Sequence, residues 1–231
     1  MNFDILERYG PRMLEGLVVT IELVVISVAL GALLAIPVAL ARLHHNPFLR
    51  AISFAYVYFF RGTPLLAQVF LVYYGSGQFR PFFEETGLWW LFRNAFFCCV
   101  LTFTLNTAAY QAEILRGAIR AVARGQSEAA MSLGLRPFAI FIKVILPQAL
   151  IVALRPLGNE VVLMVKGSAV AAIVTVFDLM GATRLAFARS FDISVYLWAA
   201  VLYLIVVESL RRFWNVLERR LNRHLAIARP A

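Results

Sequence analysis

GLVVTIELVVISVALGALLAIPVALARL, residues 16–43, carries one acidic residue and one basic residue in twenty-eight. A helix needs about 20 apolar residues to cross a bilayer. The run therefore predicts a membrane span over about 14–41, too long for the apolar core of a signal peptide. Four further runs follow. ISFAYVYFFRGTPLLAQVFLVYYGS covers 52–76, and NAFFCCVLTFTLNTAAYQAEILRGA covers 94–118. A fourth span is expected over about 147–177 and a fifth over about 195–215. The 231 residues are 61% hydrophobic and 15% charged, well outside the usual composition of soluble domains. The expected fold class is all-α: one polytopic membrane domain over 1–231, with about five spans and a core from about 16 to 221.

The net charge is +9. Nucleic acid is not implied, because the arginines gather at the ends of apolar runs rather than along one face. Five spans put the termini on opposite sides. One set of flanks holds Arg42 and Arg50, then Arg116, Arg120, Arg124, Arg136 and Lys143, then Arg211, Arg212, Arg219, Arg220, Arg223 and Arg229. The other holds Arg8, Arg12, Arg80, Arg93, Arg184 and Arg189. The first set is richer, so it is read as cytoplasmic, with the N-terminus outside and the C-terminus inside. Cys98 and Cys99 are adjacent and share no metal-ligand spacing with His44, His45 or His224, so they read as apolar fillers.

GQSEAAMSLGLRPFAIFIKVILPQAL, residues 125–150, interrupts this pattern on the cytoplasmic side. Gly125 can end the incoming helix, Ser127 can cap a new one, and Glu128 then falls in its first turn. Gly134 closes that helix and Pro137 opens the next. Leu146-Pro147 is expected to end the pair and launch the fourth span. The resulting short helices would leave Met131, Leu133, Phe138 and Phe141 in need of a partner, or resting on lipid headgroups.

The same stretch resembles a known pattern. EAA at 128–130, Gly134 and Leu-Pro at 146–147, with Val144 where Ile is usual, are similar to the EAA loop of permease subunits of ATP-binding-cassette importers. FRGTPL at 60–65, FTLNTAAY at 103–110, EILRGAI at 113–119 and NEVVLM at 159–164 resemble the polar amino-acid branch, nearest the histidine, lysine/arginine/ornithine and opine permeases. The resemblance implies a coupling loop over about 124–147, in which Glu128, Ala129, Ala130, Gly134 and Pro147 engage an ATP-binding subunit. It also implies a second permease subunit, with a heterodimer favoured, and an external substrate-binding protein. No cofactor would be bound by this chain; the partner subunit would use the ATP. The cargo would be polar amino acids or opines, with basic ones preferred, carried across a bacterial inner membrane.

Depth along the spans picks out candidate pathway residues. Counted from Pro147, Glu160 lies about 20 Å into the bilayer. Asn106 is near the middle of its span, and Asn106, Tyr110 and Glu113 recur at i, i+4 and i+7, so they share a helix face. Intramembrane polar groups usually face a cavity or a partner. Asn106, Tyr110, Asn159 and Glu160 are therefore expected to border the substrate route. Glu160 would either attract a cationic side chain or pair with Arg61, Arg155 or Lys166. Arg61, beside the break at Gly62, Thr63 and Pro64, is expected to satisfy freed carbonyls or to work in gating. Lys166 and Ser168 mark an expected helix break at the outer face, an outer gate by the resemblance, rather than a catalytic Ser–Lys pair. Glu22 and Glu208 receive no role.

Two other classes compete. An ion-coupled transporter or channel often shows inverted repeats with paired broken helices, and no second copy of the FRGTPL break is seen. A membrane enzyme would need a constellation such as HExxH or GxSxG, which is missing. The chain also lacks GxxxxGK[ST], so it is read as a transport subunit without its own ATPase.

Overall fold

The computed structural model describes residues 3–221. Arg223, His224 and Arg229 lie outside these. Among the described residues the fold is all helix, without a strand. Its long elements are α1 (Phe3–Leu43), α2 (Pro47–Gly62), α3 (Leu65–Gln78), α6 (Ala95–Ala121), α9 (Leu146–Gly167) and α11 (Ser194–Leu221). Two short helices, α4 (Arg80–Glu85) and α5 (Trp89–Phe92), fill the turn-rich connection from α3 to α6. Helices α7 (Arg124–Ser132) and α8 (Pro137–Ile140) form the loop before α9, and α10 (Leu179–Ser190) precedes α11.

Four helical stretches are long and apolar enough to cross a membrane, and the bent pair α2–α3 brings the number to five. The second expected span is therefore present but not straight. Its halves meet at 103° across Gly62, Thr63 and Pro64. The fourth span also departs from expectation. Beyond Gly167 the helix tightens into a 3₁₀ segment, Ser168–Val174, and Thr175 reverses the chain at φ 67°. Asp178 then caps the extra helix α10, accepting from Gly181 N at 2.8 Å.

Caps set the other boundaries. Asn46 accepts from Phe48 N at 2.9 Å, with Pro47 opening α2, and Asn94 accepts from Phe96 N at 2.9 Å to open α6. A side-chain oxygen at this position replaces one of the partners the first N–H groups lack.

The centre of the molecule is α6 laid along α1. Small residues make this close approach possible: Ala35 and Ala39 of α1 meet Ala112 of α6. Gly31 sits where any side chain would overlap Thr107. Ser27 Oγ donates to the Val100 carbonyl at 3.4 Å. Lipid is as apolar as leucine, so such helices associate through close packing and polar contacts rather than hydrophobic expulsion. Leu23, Val69, Cys99, Phe103, Met164 and Val174 fill the core where α1, α3, α6, α9 and the 3₁₀ segment meet. Both cysteines are buried and free, as fillers should be. Leu33, Tyr58, Leu71 and Leu204 point outward from the spans, the surface a bilayer would solvate.

Candidate substrate pathway and coupling loop

The bend between α2 and α3 follows from Pro64. In an uninterrupted helix the Phe60 carbonyl would accept from the amide four residues on, but Pro64 has no N–H. Two side-chain amides replace it. Gln68 Nε2 donates to Phe60 O at 2.9 Å, and Asn106 Nδ2 donates to the same oxygen at 3.0 Å. Gln68 also donates to the Thr63 carbonyl (3.2 Å) and the Thr63 hydroxyl (2.7 Å), while its own oxygen accepts from Asn106 at 3.0 Å. The freed carbonyls are thus met by Gln68 and Asn106, not by Arg61 as the sequence suggested. The Asn106 amide is consumed in this clamp and buried, so it holds the bend instead of facing an open route. Gln68 was missed, although a glutamine four residues after a proline break is a legible signal.

Arg61 points elsewhere. Its guanidinium stacks over the Tyr110 ring, 5.1 Å from the centroid, and it pairs with no carboxylate among the described residues. It lines a cavity of about 460 Å³ together with Arg42, Phe54, Tyr58, Thr63 and Glu113. Glu113 is already engaged there, by Arg116 on its own helix and by Arg42 at 3.4 Å. Tyr110 and Arg61 are therefore brought together, with the Tyr110 hydroxyl donating to the Arg61 carbonyl at 3.4 Å.

Glu160 is buried between α9 and α6. Thr107 Oγ1 donates to its Oε1 at 3.0 Å, and Gln111 Nε2 donates in turn to Thr107 Oγ1 (3.1 Å) and to the Val28 carbonyl (3.3 Å). The expected ion pairs do not form: Arg155 binds Glu218 at 2.7 Å, and Lys166 lies exposed. Arg61 likewise forms no ion pair with Glu160. Asn159 is exposed, about 100° around α9 from Glu160, and does not join the hydrogen-bonded cluster. Thr107 and Gln111 were not singled out from sequence, though their i, i+4 spacing places them on one face. Ser168 is buried with its hydroxyl on Val165 O at 2.8 Å, apart from exposed Lys166, so no Ser–Lys pair exists. Glu208 is held by Arg211 and Arg212, each at 2.8 Å.

The loop between α6 and α9 departs from expectation in two ways. Helix α7 begins at Arg124 after Ala123, without a side-chain cap. Ser127 is thus inside the helix, and Glu128 sits in the second turn rather than the first. The chain turns sharply enough at Val122 and Ala123, both extended, for the helix to restart before Gly125. The second departure is at Leu146-Pro147, which does not end a helix. Helix α8 runs through a π-helical turn, Phe141–Ile145, directly into α9. The wider turn relieves the clash a proline ring makes with the preceding turn, and Gln148 Nε2 takes up the Val144 carbonyl at 2.9 Å.

Gly134 closes α7 as expected. It adopts φ +76°, a left-handed conformation open to glycine at little cost. Its N–H reaches Met131 O at 2.9 Å, and Leu135 N reaches Ala130 O at 3.2 Å, the paired bonds of a Schellman ending. Ala130 is buried under the loop, whereas Glu128, Ala129 and Pro147 are exposed. Leu133 and Phe138, on either side of the turn, are 81% and 78% exposed.

Residues 27–223 match the model of the family described as binding-protein-dependent transport system inner membrane component. The chain belongs to this family. It is 37% identical over 97% of its length to the nopaline transport system permease protein of Agrobacterium fabrum, covering 94% of that protein. To the arginine ABC transporter permease protein of Escherichia coli K12 it is 34% identical, over 92% of this chain and 96% of the other. Its fold superposes on a chain of the crystal structure of an amino acid ABC transporter with histidines. The TM-score is 0.84 at 30% identity, covering 95% of this chain and 99% of that one. This permease is thus a multi-pass inner-membrane transport subunit that works with an ATPase and a substrate-binding protein.

Proposed function

We propose that the permease passes a basic amino acid or an arginine-derived opine into the cytoplasm, driven by its α7–α8 loop. The observation carrying this reading is the loop itself. Leu133 and Phe138 are large apolar side chains left bare beside a rigid Schellman turn, within the EAA spacing. Surface this apolar outside the bilayer suits a protein partner. In this reading Glu128, Ala129, Ala130, Gly134 and Pro147 shape the foot that enters the ATPase subunit. The π turn before Pro147 makes the foot continuous with α9, so displacement of the loop moves α9 and Glu160 as one lever.

Tyr110, Asn159 and Glu160 border the route, with Asn106 bracing the bend beside it. A buried carboxylate with a single hydrogen-bond donor, Thr107, can accept a charge-assisted bond from a passing guanidinium or ammonium. The nopaline and arginine cargoes named for the relatives both contain such a group. Arg61, Gly62, Thr63 and Pro64 form the bend against which α2 and α3 pivot, and Lys166 and Ser168 lie at the outer break. The whole chain acts as one permease domain, with the N-terminus outside and the C-terminus cytoplasmic. It pairs with a related permease rather than a second copy, binds no cofactor, performs no catalysis, and leaves ATP to its partner.

The test is co-purification and uptake. Glu128→Ala, and separately Leu133→Asp with Phe138→Asp, should remove the ATPase subunit or its transport-stimulated turnover while the permease still folds. Uptake in vesicles that contain no ATPase would instead support ion-coupled transport and end this reading.

A further inference from the structure

We propose that Arg61 receives the carboxylate of the transported amino acid, so that the cargo is held at both ends. The inference deepens the proposed function and rests on it for the role of Glu160. Arg42 and Arg61 line the 460 Å³ cavity, and Arg42 is spent on Glu113, which Arg116 also binds. Arg42 is further held over the Phe54 ring at 4.9 Å. Arg61 alone of the three has no anion, and the carbonyls of the nearby break are already taken by Gln68 and Asn106.

A guanidinium within a membrane-spanning bundle is costly without a counter-charge. The carbonyl end of α2 offers a partial one, and the Tyr110 face offers another. Both orient Arg61 while leaving its N–H donors free. A planar fork of such donors matches a carboxylate. The cavity is in the size range of small-molecule sites, roughly 300–1,000 Å³.

The opposite pole is one helical step away. Asn106 and Tyr110 face the bend, and Thr107, the next residue on α6, carries Glu160. Arg61 and Glu160 form no ion pair with each other. An α-amino acid with a cationic side chain presents the complementary arrangement, carboxylate toward Arg61 and cation toward Glu160. Two opposite charges kept apart across one turn of α6 can each bind cargo; paired directly, they would exclude it.

The permease–ATPase complex, purified without binding protein, is titrated with radiolabelled arginine, nopaline and glutamine, and with agmatine, which is arginine lacking its carboxylate. Arg61→Gln should weaken every carboxylate ligand that the wild-type complex binds by about 10- to 100-fold, the worth of a charge-assisted hydrogen bond. Agmatine should stay within about twofold, and Arg61→Lys should recover part of the loss. Glu160→Gln should instead weaken arginine and agmatine and spare glutamine. Equal losses for arginine and agmatine on Arg61→Gln would make Arg61 a structural residue. Unchanged affinities, or no binding of any carboxylate ligand by the wild-type complex, would also overturn the proposal. Glutamine bound as tightly as arginine, with its dependence on Arg61 intact, would sink the basic-cargo reading alone and leave Arg61 in place.

Discussion

Replacing Gln68 with leucine keeps the side chain's size and removes every polar contact it makes at the bend. Four are lost: to Phe60 O, to the Thr63 carbonyl, to the Thr63 hydroxyl, and from Asn106. Not all of these leave an orphan. Phe60 O keeps its bond from Asn106, and the Thr63 hydroxyl keeps its bond to Phe59 O at 2.8 Å. The Thr63 carbonyl and one hydrogen of the Asn106 amide are left without partners. Each buried unsatisfied group costs about 1–3 kcal/mol. Intramembrane hydrogen bonds average nearer 0.6 kcal/mol, because the unfolded chain in lipid also finds partners. With two groups orphaned, the two figures bracket a loss of about 1–6 kcal/mol for Gln68→Leu. The assay is reversible unfolding in mixed micelles as the fraction of denaturing detergent rises, with Asn106→Leu and the double variant completing a thermodynamic cycle. The pair should show a coupling of about 1 kcal/mol, since both amides serve one carbonyl and each other. A Gln68→Leu loss under about 0.5 kcal/mol, or strict additivity with Asn106→Leu, would refute the claim that these amides replace the missing Pro64 donor.

Three further outcomes are expected. Gly134→Val places a β-branched residue at φ +76° and should cost about 1–2 kcal/mol locally; ATPase turnover coupled to transport should fall more than permease yield, measured on the same preparation. Gly158→Val would drive a side chain into the Trp214 indole, whose Nε1 donates to Leu154 O at 2.5 Å; separation of α11 from α9 should lower unfolding stability by about 1–3 kcal/mol. Arg155→Ala removes an ion pair to Glu218 whose arginine is 81% exposed, so stability in the same unfolding assay should change by less than about 1 kcal/mol.

Residence in the membrane, the positions of the spans and the turn at Gly134 were all readable from the chain. Each is a property of a contiguous segment: an apolar run long enough to cross a bilayer, or a glycine at the end of a helical period. The caps at Asn46 and Asn94 belong to the same class, since their partners are two residues away. The loop was misread where the determinant was not a residue type. Ser127 is a good cap but the chain had already turned at Ala123, and Pro147 is a good breaker but a π turn absorbed it.

Only the tertiary structure decided what the intramembrane polar groups do. Asn106 looked like a pathway residue because it is polar and deep. Its role is set by Phe60, 46 residues away in sequence, whose carbonyl lost its donor to Pro64. Glu160 could have paired with any of three cations on sequence grounds, and packing gave it Thr107 instead, 53 residues away. Hydropathy and local turn chemistry are summed along neighbouring residues and survive without a fold. Which buried donor meets which acceptor depends on how α1, α6 and α9 approach through their small residues, and that approach exists only once the helices are packed.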